Sequence, residues 1–287
     1  MNEKRTSKLS ASQVQMGSQL WWSENPMAYD WRGENKTTPL SIPWFDRADS
    51  VFVHSSRLFA TDQTPFDRII PFEQLRGKRV LEIGCGMGLH SELMIRAGAE
   101  VTSVDLTETA VRATSERFHL KKLKGTVLQA DAEALPFPDK SFDFVWSWGV
   151  IHHSSRTGRI VRQIARVLKP EGECRVMVYN RSGMEAKVIF VRDYLLRFGW
   201  LRHNFDETLH RGIDGFSARF YVKDQLEDLF RTFFKEASVS ICGLDSHAIP
   251  LPRHPRRLAM KVIPESYLRS AQAKRGNFLF LTAKHPE

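Results

Sequence analysis

Three glycines at alternate positions, Gly84, Gly86 and Gly88, follow directly on an apolar run from Arg79 to Ile83. Glycine lets a backbone turn tightly and approach a ligand closely. Leu89, Leu93, Met94 and Ala97 then share one helical face, and Gly98 ends that segment. The N-terminus of such a helix offers free N–H groups to an anion. A second apolar run, Val101 to Val104, ends in Asp105, and a carboxylate at a strand tip can accept the hydroxyls of a ribose. Asp131 closes a third run and His152 and His153 follow a fourth. A histidine near neutrality can take a proton from a hydroxyl or phenol, or it can be a hydrogen-bonded core residue. These types and spacings suit nucleotide binding beside a group able to move a proton. A dinucleotide-binding GxGxxG turn would need glycine at position 89, which is leucine.

The elements that must hold these residues can be read in order. Residues 79–105 form a strand–turn–helix–strand unit, the first half of a doubly wound fold. Thr107 caps a helix whose inner face is Ala110, Val111, Thr114 and Phe118. Strands are predicted at Thr126–Gln129 and Phe142–Ser147, separated by the turn-rich Leu135–Asp139. Residues 157–169 make a helix with Ile160, Val161, Ile164, Val167 and Leu168 on one side and Arg156, Arg159, Arg162, Arg166 and Lys169 on the other. A fifth strand spans Cys174–Tyr179.

The segment Glu82-Ile83-Gly84-Cys85-Gly86-Met87-Gly88 resembles motif I of the class I S-adenosylmethionine (SAM) dependent methyltransferases. Downstream, Asp131-Ala132, Leu135-Pro136-Phe137, Phe142-Asp143, His153 and Leu168-Lys169-Pro170 resemble that family's later motifs, most closely in the branch containing the ubiquinone and menaquinone C-methyltransferases. Glu171-Gly172 stands where that branch usually has two glycines. The resemblance covers residues 75–180. It implies an α/β, Rossmann-like, seven-stranded and mostly parallel sheet with helices on both faces and a final antiparallel strand pair. It also implies SAM as cofactor, with S-adenosylhomocysteine (SAH) as product. Gly84, Cys85 and Gly86 would lie beneath the amino-acid end of SAM, and Glu82 would meet its ammonium or hold the loop. Asp105 would take the ribose, Leu106 would pack on the adenine, and Asp131 with Ala132 would meet the adenine edge. Ser147 and Trp148 would line the methionine end. His153 and His152 are the candidates for a base, and no metal is expected.

The 287 residues carry a formal net charge of +9, which suggests an anionic partner without identifying one. Cys85, Cys174 and Cys242 fit no disulfide or metal spacing, so a reducing cytoplasm is expected. No apolar run is long enough to span a membrane, while peripheral contact with an anionic surface stays open. Residues 1–18 are polar and read as unstructured. Residues 19–66 hold Trp21, Trp22, Tyr29, Trp31, Trp44 and Phe45, so 1–66 reads as an extension and lid, 67–180 as the cofactor core, and 181–287 as an inserted substrate cap plus the last strands. Trp21, Trp22 and Tyr29 are expected over the cavity, with Tyr179 on its acceptor side. Met184–Trp200 and Val222–Phe233 read as helices, 201–221 as a loop, and Lys235–Ile241 and Asn277–Ala283 as the last strands. The proline-bearing connection 243–276 has seven bases against one acid from 253 to 275. The expected acceptor is a small, largely apolar or aromatic biosynthetic molecule, and the protein a monomer or homodimer. A tRNA or rRNA methyltransferase and a non-catalytic SAM-binding protein are the two alternatives. No recognised RNA-binding module and no Asn/Asp-Pro-Pro-aromatic signature is present.

Overall fold

The computed structural model describes residues 9–28, 35–61, 64–249, 251 and 253–287. Its strands are β1 (Arg79–Ile83), β2 (Glu100–Asp105), β3 (Thr126–Gln129), β4 (Phe142–Trp148), β5 (Leu168–Asn180), β6 (Phe220–Tyr221), β7 (Phe234–Cys242) and β8 (Phe278–Pro286). Their order is β3-β2-β1-β4-β5-β8-β7, with β6 paired to the end of β5. The first five strands run parallel, and β8 lies antiparallel between β5 and β7. The doubly wound sheet therefore has its expected seven strands, and the short β6 is an eighth. It lies parallel to the tip of β5, Tyr179 opposite Phe220.

Helices before β4 are α1 (Ala11–Glu24), α2 (Ile42–Ser55), α3 (Phe72–Leu75), α4 (Leu89–Arg96) and α5 (Glu108–Leu120). Those after it are α6 (Thr157–Val167), α7 (Met184–Ile189), α8 (Phe205–Arg211), α9 (Lys223–Arg231), α10 (Asp245–Ala248), α11 (Arg253–Val262) and α12 (Glu265–Arg275). Alternate residues of each strand face opposite ways, so the sheet has two apolar faces. Leu81, Val145 and Val176 pack with Val161 and Ile164 of α6 and Leu226 and Phe230 of α9. Val80, Phe144 and Trp146 pack with Met94 of α4 and Phe52 of α2. Among the described residues no helix is long and apolar enough to cross a membrane.

Four sequence expectations change. Residues 11–18 are helical, not unstructured, because Ser10 and Gln13 form a reciprocal capping box and Val14 and Ser18 are buried. The single helix expected over 184–200 ends at Ile189, widens to π-type turns over Phe190–Leu196, and closes in a tight turn at Gly199–Leu201. The loop expected over 201–221 contains α8, capped by Asn204 accepting from the Glu207 N–H at 2.9 Å, and β6. The connection 243–276 is largely helical. Of its described prolines, Pro255 lies in the first turn of α11 and Pro264 caps α12, positions at which the missing N–H is harmless.

A buried cation anchors α2 to this frame. Arg117 of α5 is fully buried, its Nε 2.6 Å from Glu92 Oε2 of α4 and its Nη1 3.0 Å from Asp49 Oδ1 of α2. Nη1 also donates to the Met87 carbonyl at 3.1 Å. Lys121 stands 3.1 Å from Glu92. Replacing Arg117 with Met leaves two carboxylates without their main partner, and urea unfolding should show a loss of about 3 kcal/mol, the lower end for a broken buried pair because Lys121 remains.

Candidate active site

The turn after β1 and the tip of β2 are built as one unit. Gly84 has φ +80°, and a Cβ there would stand 2.1 Å from Val150 Cγ2, so only glycine lets the loop after β4 close on the turn. Gly86 has φ +52° with nothing within 4 Å of where its Cβ would be. Its N–H donates to Asp105 Oδ2 at 3.2 Å, and Oδ1 accepts from the Thr107 N–H and hydroxyl, both at 3.0 Å. Burial pushes the Asp105 pKa up, and these donors pull against that rise. Asp131 Oδ1 accepts from the Glu133 N–H at 2.8 Å and from Gln15 Nε2 at 3.0 Å.

A cavity of about 600 Å³ runs along these residues, a size that takes a nucleotide-like ligand. At one end Gly84, Gly86, Asp105, Leu106, Asp131 and Ala132 form its wall. An open backbone turn beside a held carboxylate suits an adenosyl group with an amino-acid tail. At the other end stand Trp148, Tyr179 and Phe278, with ring centroids 5.9 Å (Trp148–Phe278) and 6.1 Å (Tyr179–Phe278) apart. Glu185, Asp214, His90 and His247 also reach this end, and no lysine or arginine belongs to the described wall. His247 Nδ1 accepts from the Leu244 N–H at 3.0 Å, and burial lowers its pKa to about 4. Burial lowers His90 to about 3. Both rings are neutral at physiological pH.

α1 lies across the cofactor end. Beyond the Gln15–Asp131 bond, Gln19 Nε2 donates to the Leu106 carbonyl at 3.1 Å and the Ser18 hydroxyl to the His153 carbonyl at 3.3 Å. The Ser155 hydroxyl returns a bond to the Ala11 carbonyl at 3.1 Å. Gln15, Ser18, Trp22 and Met27 all reach the wall.

Of the site residues expected from sequence, Gly84, Cys85, Gly86, Asp105, Leu106, Asp131, Ala132, Trp148, His153, Trp22 and Tyr179 share this cavity. Cys85 is a buried thiol whose pKa burial raises. Trp148 contributes its indole to the aromatic end, stacked on Trp146 at 5.9 Å. Glu82, Ser147, His152 and Trp21 are not on the wall. Glu82 lies under the turn, accepting the Ser91 hydroxyl, and Ser147 donates to the Ile83 carbonyl at 3.1 Å. His152 is fully buried against Tyr179, ring centroids 4.1 Å apart, which leaves it no path to a ligand. Trp21 packs edge-on against Trp22. Tyr29 lies outside the described residues. His153 Nδ1 is 2.6 Å from the Ser217 carbonyl. A carbonyl only accepts, so Nδ1 carries the proton, and whenever the ring is neutral Nε2 is the nitrogen that can accept. Sequence reasoning missed Gln15, Ser18, His90 and Asp214, which no short motif marks, while His247, a weaker candidate from sequence, does reach the wall.

A glycine turn, a strand-tip acid and a crevice at the carboxyl ends of a parallel sheet define a nucleotide-cofactor-binding protein of the doubly wound α/β class. Residues 81–176 match the methyltransferase domain family. The chain is 36% identical to 27-O-demethylrifamycin SV methyltransferase of Amycolatopsis mediterranei over 44% of its own length and 50% of that protein. It is 28% identical to a ubiquinone biosynthesis O-methyltransferase of Bartonella tribocorum over 60% of its length and 66% of the relative. Among solved structures, a Haemonchus contortus phosphoethanolamine N-methyltransferase bound to S-adenosylhomocysteine superposes with TM-score 0.55 at 20% identity, covering 88% of this chain and 61% of that one. The match over residues 81–176 and these relatives support a class I SAM-dependent methyltransferase domain in that part of the chain. It spans about half the length of most curated relatives it matches.

Burial raises the Glu82 carboxyl from 4.5 to about 8. The folded protein thus keeps a proton that the unfolded chain releases. This contribution to stability is complete below pH 4.5 and is lost as pH rises through about 8. His90, lowered from 6.5 to about 3, acts with opposite sign, losing stability as pH falls. Its effect cancels when Glu82→Gln is compared with the wild type. The variant's melting temperature should match the wild type near pH 4.5 and exceed it increasingly toward pH 8; a difference independent of pH would place the Glu82 pKa near its ordinary value.

Proposed function

We propose that the protein methylates a small-molecule acceptor whose buried part is apolar or aromatic, acting in the cytoplasm. The observation carrying this reading is the Asp105 carboxylate, held by Gly86 and Thr107 on the wall of a cavity that continues into an aromatic chamber. When bound, SAM supplies an electrophilic sulfonium methyl for direct in-line transfer. The backbone from Gly84 to Gly86 would hold its amino-acid end, Asp105 the ribose hydroxyls, and Leu106, Asp131 and Ala132 the adenine. α1, bonded through Gln15, Ser18 and Gln19, would cover that end and exclude water from it. Positioning and water exclusion are the main contributions such a site makes.

Trp148, Tyr179 and Phe278 shape the acceptor chamber, and its apolar walls support a small molecule. The lack of lysine or arginine among the described wall residues weighs against a polynucleotide, whose phosphates call for cations. The relatives named for 27-O-demethylrifamycin SV and for ubiquinone biosynthesis support the same class. His153 presents the chemistry to take a proton from an acceptor hydroxyl, with Trp22 packed on its ring at 5.0 Å. Cys85, Cys174 and Cys242 are all free thiols, as a reducing compartment keeps them.

Calorimetry with SAH tests the cofactor assignment. Asp105→Ala removes a charge-assisted bond worth about 1.5–3 kcal/mol, so SAH affinity should fall roughly 10- to 100-fold. Unchanged affinity would move the ribose elsewhere, and tight NAD binding by the wild type would sink the methyltransferase reading. His153→Gln should bind SAH normally yet lose about 10²–10⁴ in kcat on an acceptor identified by labelled-methyl transfer from SAM in extracts. Normal turnover would make His153 a structural residue.

A further inference from the structure

A helical excursion leaves the cavity wall at Glu185 and returns to it at Gly212. It comprises α7, the π-type turns Phe190–Leu196, the tight turn Gly199–Leu201 and α8. Its inner face already has a small core of its own, with Ala186, Ile189 and Leu209 buried against Phe205 and Phe220. The outer side is nevertheless apolar. Leu196 is 71% exposed, Phe198 60%, Trp200 52% and Leu201 65%, and Val188, Val191 and Leu195 are exposed beside them. These side chains are surplus to the fold. A contiguous exposed apolar patch marks an interaction site.

The turn projecting them is specified by the sequence. Phe198 takes a left-handed φ of +57°, uncommon for a bulky residue. A Cβ on Gly199 would stand 2.5 Å from the Asp193 carbonyl, so the turn needs glycine there.

Charge decides what the patch fits. Lys187, Arg192, Arg197 and Arg202 are exposed among the apolar residues. Within residues 187–202 the acid is Asp193, 18% exposed and taken up by Arg192 at Nη2 and by Arg197 at 2.9 Å, while Asp206 of α8 is paired by Arg181 at 2.9 Å. The outward surface is therefore apolar and positive. A symmetric contact with a second copy would set these bases against themselves. Exposed Leu, Phe and Trp interleaved with Arg and Lys match elements that lie in the headgroup region of a bilayer.

We propose that the tip formed by residues 187–202 docks the protein on an anionic phospholipid surface. Docking there brings the chamber flanked by Glu185 and Asp214 next to the bilayer, and it holds whatever chemistry the chamber performs. The test is co-sedimentation of the full chain with vesicles of phosphatidylcholine alone and of equimolar phosphatidylcholine and phosphatidylglycerol. The wild type should partition onto the anionic vesicles and about tenfold less onto the neutral ones. Combining Leu196→Ser, Trp200→Ser and Leu201→Ser should remove binding to both. Lys187→Glu with Arg202→Glu should remove the preference for anionic lipid. All variants should keep wild-type melting temperature and SAH affinity, because the changed residues are exposed and away from the cofactor end. Absence of wild-type binding, or equal binding by the serine variant, overturns the proposal. So does a concentration-dependent dimer in light scattering that the serine changes abolish while vesicles are ignored, which would assign the patch to a second copy. Loss of SAH binding in the wild type would instead strike at the methyltransferase reading and leave the docking result standing.

Discussion

The hydrogen bond from the Gly86 N–H to Asp105 fixes the glycine turn to a carboxylate that backbone pairing alone does not reach. β1 and β2 are parallel neighbours, Ile83 opposite Val104, and their tips open at the same edge. The Gly84 N–H, donating to the Val104 carbonyl at 2.7 Å, ties the same tips through the backbone, and the Gly86–Asp105 bond adds a side-chain tie between turn and carboxylate. With both, the turn is shaped before a ligand arrives, and the carboxylate is oriented by the same donors that offset its burial. The entropy of ordering the loop is thus met during folding and not on binding. Val150 above Gly84 and Arg117 reaching the Met87 carbonyl restrict the turn from two further sides.

The legible parts of this architecture were those whose signals are local. β1 begins and ends where the apolar run 79–83 does, because a buried strand needs an uninterrupted apolar stretch and a turn residue beside it, and β3 occupies the predicted 126–129. The glycines and Asp105 were legible because a phosphate- or ribose-sized ligand tolerates few alternatives at a strand tip. α6 was legible because its two faces differ so sharply. Glu82 and His152 fell beside true wall residues in sequence yet point away from the cavity. Adjacent strand and loop residues face opposite sides, and a motif does not state which side carries the ligand.

What stayed hidden depends on partners far along the chain. α1 has no strong apolar stripe, and its hydrogen bonds to the loops come from single polar side chains reaching Leu106, Asp131 and His153. Nothing in residues 9–24 announces those targets. α11 and α12 were obscured by prolines that mark helix starts as well as loops. β6 has two residues, too few to carry any periodicity, although it closes the sheet beside Tyr179.

One rod of 14 residues, α1, bonds the loops after β2, β3 and β4 together. Those loops follow three different strands, so the helix ties together parts of the cavity rim that the sheet itself leaves separate. Each tie is a single polar bond of a kind readily traded for water, so the fastening is spread over several weak contacts and rests on no one of them.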